Sequence, residues 1–251
     1  MISACIVSYN SRNKMAGALD SLKNSETPVK TFVVDNASQD GSAQWVREYA
    51  PWAQVIESHT NTGFGSGNNR VLPYLNSQYH VLVNPDITFA PDLLGRMAAY
   101  MDEHPETVIL TPRVLNPDGS EQFLPKKEIS VHYLMGGRLE KLGKPFTTWR
   151  REYTLADQSI NQPLPVEFAT GCFLMIRTEV FKQLGGFDER FFLYQEDSDL
   201  SRRMLEWGPI IYHPDMQIRH DWKRENTRTL KGTMRQVVSI TKFFAKWGFK
   251  W

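Results

Sequence analysis

The 251-residue chain is short of cysteine, of long apolar runs and of net charge, and each shortage removes a class of protein. Its two cysteines, Cys5 and Cys172, both sit in apolar strand-like stretches, where a free thiol behaves as a small hydrophobe. No disulfide framework is expected, and a reduced, cytoplasmic compartment fits best. No window reaches the roughly 20 apolar residues needed to cross a bilayer. The stretch from Met1 to Tyr9 lacks the length and the basic lead-in of a secretory signal, so any membrane contact is expected to be peripheral, on the cytoplasmic face. With 29 Lys/Arg against 28 Asp/Glu, the chain as a whole carries no electrostatic signal for nucleic acid.

The near-neutral total hides an uneven distribution. From Arg219 to Trp251 nine Lys/Arg face two Asp/Glu, a local balance of +7 that leaves residues 1–218 at −6. The 41% hydrophobic content suffices for one sizeable α/β domain. Strand-like runs at Ile2 to Val7, Lys30 to Val34, Val55 to Glu57, His80 to Val83 and Val108 to Leu115 alternate with helical patterns. Those helices are read at Asn13 to Leu22, Gly41 to Glu48, Gly67 to Leu75 and Pro91 to Met101. This alternation predicts a Rossmann-like, mostly parallel sheet flanked by helices, with the carboxyl ends of its strands along one edge. Asn116 to Gly119 is a turn, and Ser120 to Pro165 reads as an irregular excursion. A strand at Glu167 to Ile176, helices at Thr178 to Leu184 and Glu196 to Trp207, and a strand-like Met216 to Arg219 follow.

Four polar clusters stand directly after expected strands, where open α/β sheets place ligands. They are Ser8-Tyr9-Asn10, then Asp35-Asn36 running through Ser42, the glycine-rich Asn61 to Arg70, and Asn84-Pro85-Asp86. A carboxylate at a strand end can accept from a base N–H, whereas Ser38 and Asp40 serve equally well as helix caps. Gly63, Gly65 and Gly67 let backbone approach a ligand, although their spacing is not that of a dinucleotide fingerprint. Asp86 suits a diphosphate-bound Mg²⁺ or Mn²⁺, which needs only one or two protein carboxylates. Alternatively, Asn-Pro-Asp is simply a turn. Glu196, Asp197 and Asp199 crowd one helix start. This compensates the helix dipole, and mutual repulsion favours one carboxyl group able to take a proton near neutral pH.

Together with Gly171-Cys172 through Arg203, these clusters resemble, in order and over most of the first 220 residues, the inverting GT-A glycosyltransferases of family 2, particularly the bacterial rhamnosyltransferase-like members. The resemblance implies a GT-A fold: residues 1–220 form the catalytic domain, with a nucleotide-sugar half at 1–115 and an acceptor half at 116–220, followed by a basic amphipathic tail at 221–251. It implies a nucleotide-diphosphate sugar donor met by Ser8, Tyr9, Asn10, Asp35, Asn36, Gly65, Asn68, Asn69 and Asn84. It further implies a divalent cation, Mg²⁺ or Mn²⁺, held by Asp86 and His220. Asn84 stands where relatives often have Asp, which leaves Asp86 the principal ligand. Asp197 becomes the general base with Glu196 as its rival, and Arg203 lies near the acceptor or diphosphate. The implied donor is dTDP-rhamnose or, failing that, a UDP-hexose. The implied acceptor is a saccharide, lipid-linked or not, of bacterial surface polysaccharide.

In the tail, Leu230, Met234, Val237, Val238, Thr241 and Phe244 recur at helical spacing, with Lys231, Arg235, Lys242 and Lys246 outside that stripe. Basic residues mixed with aromatics suit a helix lying on an anionic membrane, and a helix packed on the domain accounts for them equally well. Two rival functions stand beside transfer. A sugar-phosphate nucleotidyltransferase would want a basic glycine-rich loop after the first strand, which Ser8 to Ser11 does not supply. A non-catalytic nucleotide-sugar or glycan-binding module would not require Glu196 and Asp197 beside a metal carboxylate.

Overall fold

The computed structural model describes residues 1–222 and 230–251, and the side chains of Leu230 and Lys231 lie outside the described set together with residues 223–229. Four β-rich segments, β1 (Ile2–Ser8), β2 (Val29–Asp35), β3 (Gln54–Glu57) and β4 (Tyr79–Val83), form a parallel block in the order β3-β2-β1-β4. They agree with the sequence reading to within a residue or two at most ends. Helices α1 (Ala16–Lys23), α2 (Ser42–Tyr49) and α3 (Phe64–Asn69) make the crossovers, which brings the carboxyl ends of all four strands to one edge.

Beyond β4 the sheet turns mixed, so "mostly parallel" holds for the first block only. β8 (Phe173–Arg177) runs antiparallel between β4 and β6 (Ile109–Leu115), and β9 (Ile210–His220) pairs parallel with β6. The short β5 (Ile87–Phe89) and β7 (Leu164–Val166) both add antiparallel to β9. One core lies between the sheet and α1 with α4 (Leu93–Glu103). The other lies on the opposite face under α7 (Thr178–Gln183) and α8 (Glu196–Met204).

Several expectations give way for physical reasons. The glycine-rich stretch is no loop entering a helix, because Phe64 to Asn69 is itself the helix. Its glycines serve tight packing: a Cβ on Gly65 would stand 2.9 Å from the Cβ of Phe187, and one on Gly67 2.7 Å from Val7. The segment Ser120 to Pro165 is not irregular throughout, since it contains α5 (Val131–Leu139) and α6 (Phe146–Tyr153). The side chain of Ser130 caps α5 by accepting from the Tyr133 N–H. The two helices approach so closely that a Cβ on Gly136 would sit 2.9 Å from the Arg150 nitrogen, and a contact built on glycine leaves little apolar periodicity to read. The expected strand from Glu167 to Ile176 starts only at Phe173, as β8, after the turn at Gly171-Cys172, and β7 ends just before Glu167. β9 begins well before Met216, its register shift opposite Pro112/Arg113 absorbing Pro214, Asp215 and Met216.

Candidate active site

One cavity of about 460 Å³ opens where the strand ends meet α8. Tyr9, Asn36, Asn84, Asp86, Glu196, Asp197 and His220 all line it, so side chains from both halves of the chain converge there. Sheet register explains the convergence. The Asn84 N–H donates to the Cys172 carbonyl at 2.8 Å, carrying the β4 ladder one step further and setting the Gly171 turn beside Asp86. The β5–β9 ladder pairs Ile87 with His220, and the Asp221 N–H donates to the Asp86 carbonyl. His220 belongs to the inward row of β9 with Met216 and Ile218. Its Nε2 therefore faces Asp86 Oδ1 at 3.3 Å.

The tautomer of His220 can be assigned. Gln122 donates through its amide nitrogen to the carbonyl of His220 and to Asn116 Oδ1, so its Oε1 is the atom 3.1 Å from His220 Nδ1. Nδ1 then carries a proton, and Nε2, buried without a hydrogen-bond partner, faces a carboxylate. A carboxylate oxygen and an imidazole nitrogen at this distance share either a proton or a cation. An oxygen and an imidazole nitrogen fit Mn²⁺ or Mg²⁺ provided a ligand completes the shell. Among the described residues no third Asp, Glu, His or Cys does so.

The wall formed by α8 carries the Glu196-Asp197 pair. Tyr194 and Gln195 take left-handed φ angles of 69° and 67°, a strained turn that swings the next two residues into the cavity. Asp197 Oδ2 accepts from the Gly171 N–H at 3.1 Å and Oδ1 from the Ser198 N–H at 2.9 Å. A side chain at 171 would touch Asp197, which is the local need for glycine there. Burial raises the pKa of Asp197, while the Lys126 ammonium and the two backbone donors oppose that rise. Glu196 is pushed further up, first by burial and then by the charge of Asp197, and its Oε2 is buried without a hydrogen-bond partner. In this pair the proton belongs on Glu196 and the charge on Asp197.

The remaining expected site residues divide. Ser8 Oγ, Asp35 Oδ1 and Asn68 Oδ1 do not line the cavity, yet all three are buried polar atoms without partners near the strand-end edge. Asn36 lines it but is spent on clamping the chain, donating to Asn61 Oδ1 and the Gly63 carbonyl. Asn10, Gly65, Asn69 and Arg203 lie outside it. Asn10 joins two loops by accepting from the Gln39 N–H. Asn69 holds Phe187 from both sides, and Arg203 ties Asp199 to the carbonyls of Leu184 and Gly186.

Sequence reasoning missed Gln122, Lys126 and Arg235. The first was within reach, because the Asn116 to Gly119 turn sends the chain back along β6, with Leu115 bridged to Glu121. Lys126 is held over the rings of Phe168 and Tyr153 at 4.6 and 5.7 Å, contacts no local pattern announces.

Comparison with known proteins matches residues 3–185 to the model for glycosyl transferase family 2, and residues 151–225 to one described as the N-terminal domain of galactosyltransferase. An N-acetylglucosaminyl-diphospho-decaprenol L-rhamnosyltransferase of Mycobacterium tuberculosis is 29% identical over 212 residues, covering 78% of this chain and 67% of that protein. Rhamnosyltransferase WbbL of Escherichia coli is 24% identical over 85% of this chain and 80% of its own. Among solved structures, a Pyrobaculum calidifontis mannosyltransferase in complex with GDP-Man and Mn²⁺ superposes with a TM-score of 0.64 at 16% identity, and Staphylococcus aureus TarS with UDP gives 0.61 at 20%. These alignments cover 97% and 95% of this chain but 64% and 65% of the solved ones, so the chain spans about two thirds of their length.

Proposed function

Because the chain belongs to glycosyl transferase family 2 and has its GT-A fold, we propose that it is a metal-dependent, inverting glycosyltransferase that moves a sugar from a nucleotide diphosphate to a hydroxyl of a surface-polysaccharide precursor. The relatives named as rhamnosyltransferases favour L-rhamnose from dTDP-rhamnose as the donor over a UDP-hexose. The mycobacterial relative's name favours a lipid-linked saccharide as the acceptor. The reading rests on one observation above all: Asp86 with His220, and Asp197 with Glu196, line the same cavity.

A cation held by Asp86 and His220 would supply charge neutralisation for the departing diphosphate. The polypeptide supplies the rest. Asp197 lines the cavity as the ionised member of its pair, with burial setting its proton affinity above that of an ordinary aspartate, as a general base near neutral pH requires. It takes the acceptor's hydroxyl proton while the acceptor oxygen bonds to the anomeric carbon. The bond from that carbon to the diphosphate oxygen breaks on the opposite face, and one such displacement inverts the centre. Glu196, neutral, offers a hydrogen-bond donor to the same acceptor. Ser8, Asp35 and Asn68 would gain the partners they lack from base or ribose.

The test is a panel of nucleotide sugars screened for metal-dependent turnover with the unaltered chain and with Asp197→Asn. Transfer should fall by about 10³-fold in the variant, with nucleotide affinity within about threefold. Near-normal transfer by the variant would refute the base assignment. Nucleotide-sugar binding without any turnover across the panel would favour the non-catalytic module.

A further inference from the structure

The C-terminal helix α9 (Leu230–Trp247) is mounted with its faces in an unexpected arrangement. Its basic residues reach inward: Lys242 donates to the Arg190 carbonyl, and Lys246 pairs with Asp188 and Asp199 at 2.8 and 2.6 Å. Ser239 donates to the Leu193 carbonyl, and Phe243 and Phe244 are buried against Phe191 and Ile129. Met234, Val237 and Val238, spaced as one helical face, instead point to solvent with exposures of 69%, 56% and 51%. Beside that face stands Arg235, which lines the cavity and rests its guanidinium over the Phe192 ring at 4.6 Å.

We propose that Arg235 and the Met234-Val237-Val238 face form the acceptor's anchoring subsite, in which the guanidinium takes the diphosphate of a lipid-linked sugar and the lipid chain lies along the apolar face. The proposal rests on the glycosyltransferase reading and adds to it the residues that hold a lipid-linked acceptor. Besides the ionised Asp197 and the proposed metal ligand Asp86, the cavity is lined by the cations Lys14, Lys126 and Arg235, and of these three Arg235 is the one carried by α9, beside the exposed apolar face. Its planar guanidinium matches phosphate oxygens two at a time, which a lysine ammonium does not. An uncharged glycan would need neither this cation nor an apolar strip next to it. The two features are neighbours on one helix, about 100° apart, so a head group inside the cavity and a chain outside it leave in the direction the helix provides.

Binding is tested first without divalent cation or donor, using farnesyl diphosphate against inorganic diphosphate. The unaltered chain should bind farnesyl diphosphate more tightly by about tenfold, Arg235→Gln should lose most affinity for both, and Arg235→Lys should regain part of it. Replacing Met234, Val237 and Val238 together with Ser should abolish only the preference for the farnesyl compound. In transfer assays, Arg235→Gln should raise KM for an isoprenyl-diphosphate sugar and leave KM for the same sugar as an uncharged glycoside unchanged. Equal affinity for the two diphosphates in the unaltered chain, or an equal rise in KM for both acceptors, would overturn the subsite. Binding as described with no transfer to either acceptor would sink the enzymatic reading alone.

Discussion

The cavity wall made by the strand ends is held largely by contacts within and between successive βα units, whereas the wall formed by α8 also draws on α9 at the far end of the chain. On the first, Asp35 accepts from the Ser38 N–H, and Asn36 grips the Asn61 to Gly63 loop that follows the next strand. On the second, Asp197 depends on Gly171, the Tyr194 turn depends on Ser239, and α8 is pinned by α9 through Asp199. Asp197 and Asp199 condense the contrast. Two positions apart, they project from nearly opposite sides of α8, one into the cavity and the other, fully buried, into a cluster with Arg203, Lys246 and the Trp247 indole N–H. Apart from His220, which the β5–β9 ladder brings to Asp86, the first wall is a property of βα units, and the second of tertiary closure.

The largest break in this comparison should come from the first wall. Asp86→Ala removes the carboxylate facing His220 Nε2. It should weaken Mn²⁺-dependent donor binding by about 100-fold or more, while binding without metal changes little. Calorimetric titration of a nucleotide sugar with and without Mn²⁺ checks this, and metal dependence equal to that of the unaltered chain would remove Asp86 from the role. A middle-sized effect should come from the second wall. Lys246→Met leaves the buried Asp199 with Arg203 and Trp247 but without its ammonium, at a cost on the order of 2 kcal/mol. The melting temperature should drop by about 4–8 °C, and kcat should fall with it, because α8 carries Asp197. A variant that melts lower with kcat intact would show that α9 braces the fold without setting the position of the base.

The same division governs what the chain discloses before it is folded. β1 to β4 and the polar groups after them are legible because period-two apolar runs and the residues ending them are local. Asp86 stands out for the same reason, whereas Asp197 is singled out from its acidic neighbours by the family resemblance. That Arg203 and Asn69 serve packing could not, since each is used up by carbonyls or a neighbouring turn more than a dozen positions away. The tail is the sharpest case: its apolar stripe and basic face read correctly as a helix, yet which side turns inward depends on Asp188 and Asp199 waiting beneath it.

The smallest expected effect, and the one that separates electrostatics from architecture in the second wall, concerns Lys126. It lines the cavity, and its positive charge lowers the proton affinity of Asp197 against the rise that burial imposes. Lys126→Gln removes that opposition, so the pKa of Asp197 should climb further above the ordinary aspartate value. The base works only when ionised, so the acidic limb of log kcat/KM should move to higher pH by up to about one unit. Above both pKa values the variant and the unaltered chain should converge. Lys126→Arg, which keeps a cation over Phe168, should leave the limb near its original position. A uniform loss across the whole pH range would mean instead that Lys126 touches substrate, and a limb displaced towards lower pH would contradict the assignment of charge to Asp197.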